Sequence, residues 1–416
     1  MRVLHIVHQY LPEYIGGTEV ATRQVAGELA ARGHAVGVFY RRGGTGAGLA
    51  EREEEGVRVW AAWSGPVTPV RRFLATFGEP AISRAFTAVL EAFGPDLAHV
   101  QHLMGLPAGV AGLLHRAGVP YVVTLHDYWW VCSNAQLITN YSRSPCGGPR
   151  GYVNCARCGV ARAGTAVGWA AFPALVGLMV ARVHLLREIL DGAALIIAPS
   201  EFVRRWYTDH GLDGRPIVVL PHGLETTGFR PADNRTGRLR LAYIGGLAWA
   251  KGVHVLLDAF RAVDGRAELW VVGDDSAEPD YGARLRARAG AGVRFWGRLS
   301  PEQVRGILSE VDVLAVPSLW PEPFGLVVSE AFAAGVPVLV SNVGGLPERV
   351  RHGVDGLILP AGDVGAWRAT LVRLATEPGL LARLRAGVRP PMSLGEHVDR
   401  LEGLYARALT HRPRKV

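Results

Sequence analysis

Apolar residues in this chain gather into short unbroken runs instead of alternating with polar ones. "RVLHIV", "HAVGVFY", "LAHV", "YVVTLH", "LIIAPS" and "PIVVLP" occupy the first half; "RLAYIG", "AELWVVG", "VRFWG", "VDVLAVPS", "PVLVS" and "GLILP" occupy the second. Each ends at a turn or cap signal. Runs of this kind are strands buried on both faces. Amphipathic stretches such as "EVATRQVAGELAARG" and "HVLLDAFRAV" lie between many of them. Alternating strand and helix predicts parallel, doubly wound sheets. Six strands and then six more predict an α/β fold of two Rossmann-like domains facing across a cleft. The boundary is expected near "LPHGLETTGFRPADNRTGR", a stretch rich in Gly, Pro and polar residues. This gives domains 1–220 and 221–392, with a last helix at 393–412 returning to the first. Ligands of such sheets bind beyond the carboxyl ends of the strands, so the loops there are where chemistry is to be sought.

Composition narrows the picture. The chain has 416 residues, 49% apolar and 20% charged, which suits more than one packed core and excludes a disordered chain. Of 45 basic residues only Lys251 and Lys415 are lysines, leaving 43 arginines. So uniform a skew reflects genome composition, not a nucleic-acid footprint, and no basic block with interleaved aromatics occurs. The net charge of +8 still suits an anionic partner such as a membrane face or a phosphorylated ligand. "MRVLHIVHQYLPE" reads as a strand and not as a secretory signal, so a cytoplasmic location is expected. Where Arg has taken nearly every basic position, the internal Lys251 stands out.

Several loops carry candidate chemistry. Gly16 and Gly17 precede Thr18, a good N-cap, and amides at a helix start form an anion site; a plain helix entry is the alternative. His126 ends the fourth run, in "TLHDYWW", where it either faces a ligand or bonds a backbone carbonyl. Gly245 and Gly246 allow close backbone approach in "YIGGLAWAKG", and the compact ammonium of Lys251 suits a phosphate. Neither a dinucleotide fingerprint nor a P-loop is present.

The segment "WPEPFGLVVSEAFAAG" is the most informative. Pro321 and Pro323 hold Glu322 in a loop. A helix is expected from about Leu326, with Glu330 a turn or so inside it. The amides of Phe324, Gly325 and Leu326 then form an anion cradle with a carboxylate on each side. A sugar, a diphosphate and a ribose have that shape. A buried Glu capping the helix explains one glutamate but not two.

At this point the chain resembles glycosyltransferase family 4, retaining transferases of the GT-B fold. The resemblance rests on E-x7-E at Glu322 and Glu330, supported by "GGTE" at 16–19, "HD" at 126–127, "APSEF" at 198–202, G-x-L-x-x-x-K-G at 245–252 and "GGLPE" at 344–348. It implies that Glu322 holds the donor sugar hydroxyls and Glu330 the nucleotide ribose. Lys251 and the amides of Phe324, Gly325 and Leu326 would meet the phosphates. Gly17 would lie where acceptor and donor phosphate meet, and His126 near the donor sugar. It further implies a nucleotide-sugar donor, a glycan or lipid-linked acceptor and no catalytic metal. Family members often place Arg where this chain has Gly246. The alternatives are a nucleotide-sugar epimerase of the same fold and a catalytically silent nucleotide-binding protein. No D-x-D occurs, which speaks against the metal clamp of the other large transferase fold.

Two features stand outside the resemblance. Cys132, Cys146, Cys155 and Cys158 are the only cysteines and end in C-x2-C, which suggests one structural Zn²⁺ site. An iron–sulfur cluster or inert thiols are the alternatives. Residues 163–181 carry no charge but contain Gly and Pro. They read as a helix pair on the first domain, either exposed in part for a lipid-linked acceptor or the inner membrane face, or simply packed.

Overall fold

The computed structural model describes residues 1–164, 169–232 and 237–410. Its contacts divide the chain into two units: Met1–Gly223 together with the segment from Leu394 onward, and Leu224–Ser393.

The first unit holds eight strands: β1 (Arg2–Val7), β2 (Ala35–Arg42), β3 (Leu49–Glu54), β4 (Val57–Trp63), β5 (Leu97–Val100), β6 (Tyr121–Thr124), β7 (Leu195–Ala198) and β8 (Ile217–Val219). Their order is β3-β4-β2-β1-β5-β6-β7-β8, and only β3 runs antiparallel to its neighbour. Six strands were expected here. The unforeseen pair is the hairpin β3–β4, whose first strand "LAEREE" is charged, largely exposed and at the sheet edge. Charge of this kind is what keeps an edge from pairing with another chain, and it also hides the strand from an apolar-run reading. Glu55 and Gly56 make its turn, both with positive φ, at 52° and 76°.

The second unit has the six expected strands: β9 (Leu239–Ile244), β10 (Ala267–Val272), β11 (Val293–Gly297), β12 (Val313–Val316), β13 (Val338–Ser341) and β14 (Gly356–Leu359). All are parallel, in the order β11-β10-β9-β12-β13-β14. Strand order reverses between β9 and β12, and in the first unit between β1 and β5. Those are the switch points beside which open α/β sheets place their ligands.

Each unit has its own apolar core. In the first, the helix Leu394–Thr410 inserts Val398, Leu401 and Tyr405 among Val3, Val36 and Leu97. Arg32 fastens it, with Nη1 2.5 Å from Asp399 and 2.8 Å from Glu402. The second core forms on both faces of its sheet, around Leu241, Leu269 and Trp367 on one side and Val328, Val338 and Leu346 on the other.

Candidate active site

Because β9 and β12 are neighbours in the sheet, the loops that follow them open side by side. The β9 loop is tied down first. Gly245 N–H donates to Val272 O (2.9 Å) and Leu247 N–H to Asp274 O (2.8 Å). The β12 loop is then laid onto it, as the amides of Leu319 and Trp320 both donate to Ala250 O, at 2.8 and 3.3 Å. Contact is so close at Gly252, with φ of +69°, that a Cβ would lie 1.9 Å from Pro317 O. Only glycine fits there.

This docking brings Lys251 Nζ to 2.7 Å from Glu322 Oε1. Ser318 Oγ donates to the same oxygen at 2.7 Å, and the Trp320 ring lies 5.1 Å from the ammonium. Glu322 is buried, whereas the Lys251 side chain keeps a third of its surface in solvent. A hydrated cation and a carboxylate at one mouth form a pair that an incoming anion and hydroxyl groups can split between them. The backbone of Glu322 rests on the "GGLPE" turn. Gly345 N–H donates to Glu322 O at 2.7 Å, and Gly344 has φ of +62°, where a Cβ would meet Glu322 O at 2.3 Å.

The helix Leu326–Ala333 starts after Gly325, whose φ of 80° turns the chain sharply out of the loop. The first amides of a helix have no intrahelical acceptor and carry the positive end of its dipole. Phe324 is buried beneath the Arg349 guanidinium, 4.0 Å from its ring. Burial lowers Arg349 to about 10, and it donates to Ser329 Oγ at 2.6 Å. Glu330 falls in the second turn, and its carboxylate makes no hydrogen bond or ion pair among the described residues. Burial raises its pKa, with Arg305 pulling the other way. Gly246 is exposed, and a Cβ there would meet nothing within 4 Å. The absence of a side chain at 246 is therefore not a steric demand.

Gly17 and His126 lie in the first unit. Gly17 is the first residue of the helix Gly17–Ala31, and its N-cap is Gly16 in extended backbone, not Thr18 as expected. The Glu19 carboxylate folds back against Gly16, where a Cβ would lie 2.5 Å from Oε2, and the helix starting at Gly17 leaves Thr18 inside it. His126 bonds the Gln101 side chain at 2.6 Å, not a backbone carbonyl, and its ring stacks on His222 with centroids 5.1 Å apart. Burial drives its pKa down to about 3, so it is neutral and acts through hydrogen bonds alone.

A set that the residue patterns did not single out lies at the β1/β5 switch point. Glu19 is 3.5 Å from His8, the His8 and His102 rings are 4.3 Å apart, and His102 Nε2 is 3.1 Å from Asp127 Oδ2. Met104 N–H donates to His102 Nδ1, so in the neutral ring Nε2 carries the proton and donates it to Asp127. "GGTE" and "HD" marked two members of this set. The signal for the others was position, since His8 follows β1 and His102 follows β5 at strand ends.

The cysteines share one neighbourhood. Burial and the other three thiols together push Cys155 up to about 12. Asn140 N–H points at Cys158 Sγ (3.4 Å) and Asn154 Nδ2 at Cys146 Sγ (3.5 Å). Yet among the described residues no three His, Cys, Asp or Glu groups form a set able to hold a metal ion. The expected zinc set is not closed as it stands. Cys155 and Cys158 are three residues apart in the helix Val153–Ala163, while Cys146 turns its thiol to Gly148 O. The uncharged stretch at 163–181 is broken as well. Gly164 ends that helix in left-handed backbone, residues 165–168 lie outside the described residues, and the rest enters the helix Phe172–Gly192. Among the described residues no helix is long and apolar enough to cross a membrane.

Two family models match the chain, "Glycosyltransferase Family 4" over residues 15–227 and "Glycosyl transferases group 1" over 238–377. Glycogen synthase of Mycobacterium tuberculosis is 28% identical over 401 residues, covering 94% of this chain and 89% of that protein. D-inositol 3-phosphate glycosyltransferase of Mycolicibacterium smegmatis is 28% identical over 413 residues, covering 95% and 87%. Among solved structures, sucrose-phosphate synthase of Thermosynechococcus elongatus superposes with a TM-score of 0.74 at 22% identity, covering 98% of both chains. The HepE protein of Anabaena, solved with UDP-glucose, gives 0.69 at 17% identity, covering 98% and 99%. The two parallel-sheet domains are those of the GT-B fold, and with one family model spanning more than half of its length the chain belongs to glycosyltransferase family 4 and is a glycosyltransferase.

Proposed function

We propose that this chain transfers a glycosyl group from a nucleoside diphosphate sugar to a glycan or lipid-linked acceptor, with retention at the anomeric carbon. The observation that carries this reading is the Lys251–Glu322 pair set beside the start of the helix Leu326–Ala333. In the step, the bond from the sugar C1 to the diphosphate oxygen breaks and its electron pair leaves with the diphosphate. The acceptor hydroxyl oxygen bonds to C1, and its proton passes to a phosphate oxygen. The departing charge needs cations and aimed amides. Lys251 and the helix amides after Gly325 supply them, while Glu322 takes the sugar hydroxyls. Among the described residues the Glu330 carboxylate has no partner, and it is offered to the ribose. His126, neutral and held by Gln101, serves as a hydrogen-bonding contact for the sugar. The same proposal assigns the amide end of the helix beginning at Gly17 to a phosphate contact. Action in the cytoplasm with a peripheral contact to the inner membrane face belongs to the same proposal.

UDP-glucose, the ligand of HepE, is the first donor to try. Release of UDP in its presence, with or without an acceptor, supports the reading. No turnover with any nucleotide sugar, despite nucleotide binding, rejects it in favour of a silent binding protein.

Open space at Gly246 gives a gain-of-affinity prediction. Gly246→Arg, whose Cβ would meet nothing within 4 Å, adds a guanidinium to the loop that carries Lys251 and should tighten nucleoside diphosphate binding by about 3–10-fold. Calorimetric titration measures it; an unchanged Kd means that position 246 does not face the phosphates.

The clustered thiols support a further proposal, one structural zinc ion held by Cys132, Cys146, Cys155 and Cys158. Elemental analysis of chain purified under reducing conditions should find about one zinc per chain, falling in Cys155→Ser together with the melting temperature. A folded, metal-free chain of unchanged stability excludes the site.

A further inference from the structure

A second cavity lies wholly in the first unit, between the short helix Pro69–Leu74 and the helices Val153–Ala163 and Phe172–Gly192. Its volume is about 260 Å³, just under the ~300 Å³ at which ligand pockets begin. Phe73, Leu74, Val160, Leu178 and Met179 make it apolar. The apolar surface continues outward on the rim, where Val70, Leu74 and Phe77 are 47%, 47% and 38% exposed. Large side chains left bare beside a cavity mark a binding surface more often than a packing fault.

The polar groups around it are of one sign. Arg72, Arg162 and Arg182 line the cavity. Arg41 adjoins Arg72 across Gly105, since a Cβ on that glycine would lie 2.5 Å from Arg41 Nη1 and 3.2 Å from the Arg72 side chain. Among the described residues none of the four has a carboxylate within ion-pair distance. Arg41 bonds Ser64, Arg72 reaches Met104 Sδ, Arg162 bonds Asn134 and Arg182 bonds Trp129 O. Arg72 and Arg162 repel each other, and Arg41 is crowded by Arg72 in the same way. A second polar group also waits there. Thr76 lines the cavity, is 1% exposed, and its buried hydroxyl has no hydrogen-bond partner among the described residues. Uncompensated arginines and an orphan hydroxyl at the edge of an apolar cavity leave an anion to be supplied from outside.

The cavity also connects with the histidine set. Its wall includes Trp129, whose ring lies 5.2 Å from that of His102, the partner of Asp127. A ligand phosphate at Arg72 would thus lie near the switch point at which the acceptor is expected.

We propose that this cavity binds the acceptor, and that the acceptor is a phosphorylated amphiphile with its single apolar chain in the cavity and its phosphate or diphosphate on Arg72 and Arg41. The proposal rests on the transferase reading for the word acceptor, but the binding itself does not. It separates a lipid-borne acceptor from a water-soluble sugar phosphate, which would have no use for the apolar wall.

Farnesyl diphosphate is a suitable probe, titrated into the full chain and read by quenching of tryptophan fluorescence, with Trp129 in the wall as reporter. It should bind at least about tenfold more tightly than either inorganic diphosphate or farnesol. Arg72→Gln and Leu178→Asp should each weaken it about tenfold or more, with UDP affinity unchanged and the thermal transition intact. Inorganic diphosphate binding equally well reduces the site to an anion patch, and farnesol binding equally well reduces it to an apolar hole; either overturns the proposal. So does binding to phosphatidylglycerol vesicles that is as strong as farnesyl diphosphate binding and indifferent to Arg72→Gln, which marks a membrane surface instead. Failure of every nucleotide sugar to turn over rejects the transferase reading and leaves the farnesyl diphosphate result standing by itself.

Discussion

Glu322→Ala lowers turnover by about 10²–10³-fold and leaves nucleoside diphosphate affinity nearly unchanged. Removal of one aimed polar contact to a transition state has that magnitude in other enzymes. The split between turnover and affinity follows from the geometry. Glu322 is joined to Lys251 and Ser318, and the sugar is its proposed ligand, so its loss does not take a cation from the phosphates. If anything Lys251 is released to them, and affinity for the bare diphosphate rises slightly. Steady-state kinetics with UDP-glucose, beside calorimetry with UDP, separate the two quantities. Turnover and affinity falling by the same factor would show that Glu322 acts only by steadying Lys251. Wild-type turnover would remove it from the site altogether.

Gly344→Ala destabilises the second unit by about 3 kcal/mol or more and abolishes activity in whatever remains folded. Two costs add. A non-glycine residue at φ of +62° is strained by about 1–3 kcal/mol. The new methyl also lies 2.3 Å from Glu322 O and 2.5 Å from Glu322 N, which are backbone atoms with no cheap way to retreat. Relief requires the Glu322 loop to move, which breaks the Lys251 pair. Gly353→Ala is the internal control. It has φ of +79° with nothing within 4 Å of the built Cβ, so it bears the dihedral strain alone. Urea unfolding of both variants measures the difference. Equal losses would mean that the Gly344 contact relaxes freely and that the "GGLPE" turn does not hold Glu322.

Much of the scaffold was legible because burial on both faces writes strands as unbroken apolar runs. All six strands of the second unit were marked by such runs, down to the four-residue β12 and β13, although β11 at the sheet edge is only partly buried. The rule missed β3 because an edge strand answers to solvent on its free side, and "LAEREE" is composed for that role. In the site, types and spacings were readable but partners were not. The sequence marks Lys251 and Glu322 as separate features 71 positions apart, and nothing local says that they touch. That fact depends on β9 and β12 being adjacent at the switch point. The capping error at Thr18 has a similar origin. Propensity favours Thr, but the helix begins one residue earlier, at Gly17 after an extended Gly16, so Thr18 falls inside it. His8 and His102 were passed over because a lone histidine at a strand end carries no motif. They become a set only when β1 and β5 lie side by side.

The helix Leu394–Thr410 gives the two units unequal histories during synthesis. The second unit is one uninterrupted segment, Leu224–Ser393, so all of its residues are joined before that helix is made. The first unit starts earlier and finishes later. Its sheet has to wait, with the places of Val398, Leu401 and Tyr405 vacant and His99 lacking its Tyr405 hydroxyl, while the whole second unit is translated. The half that appears first is the half that stays unfinished and open to chaperones and proteases for longest.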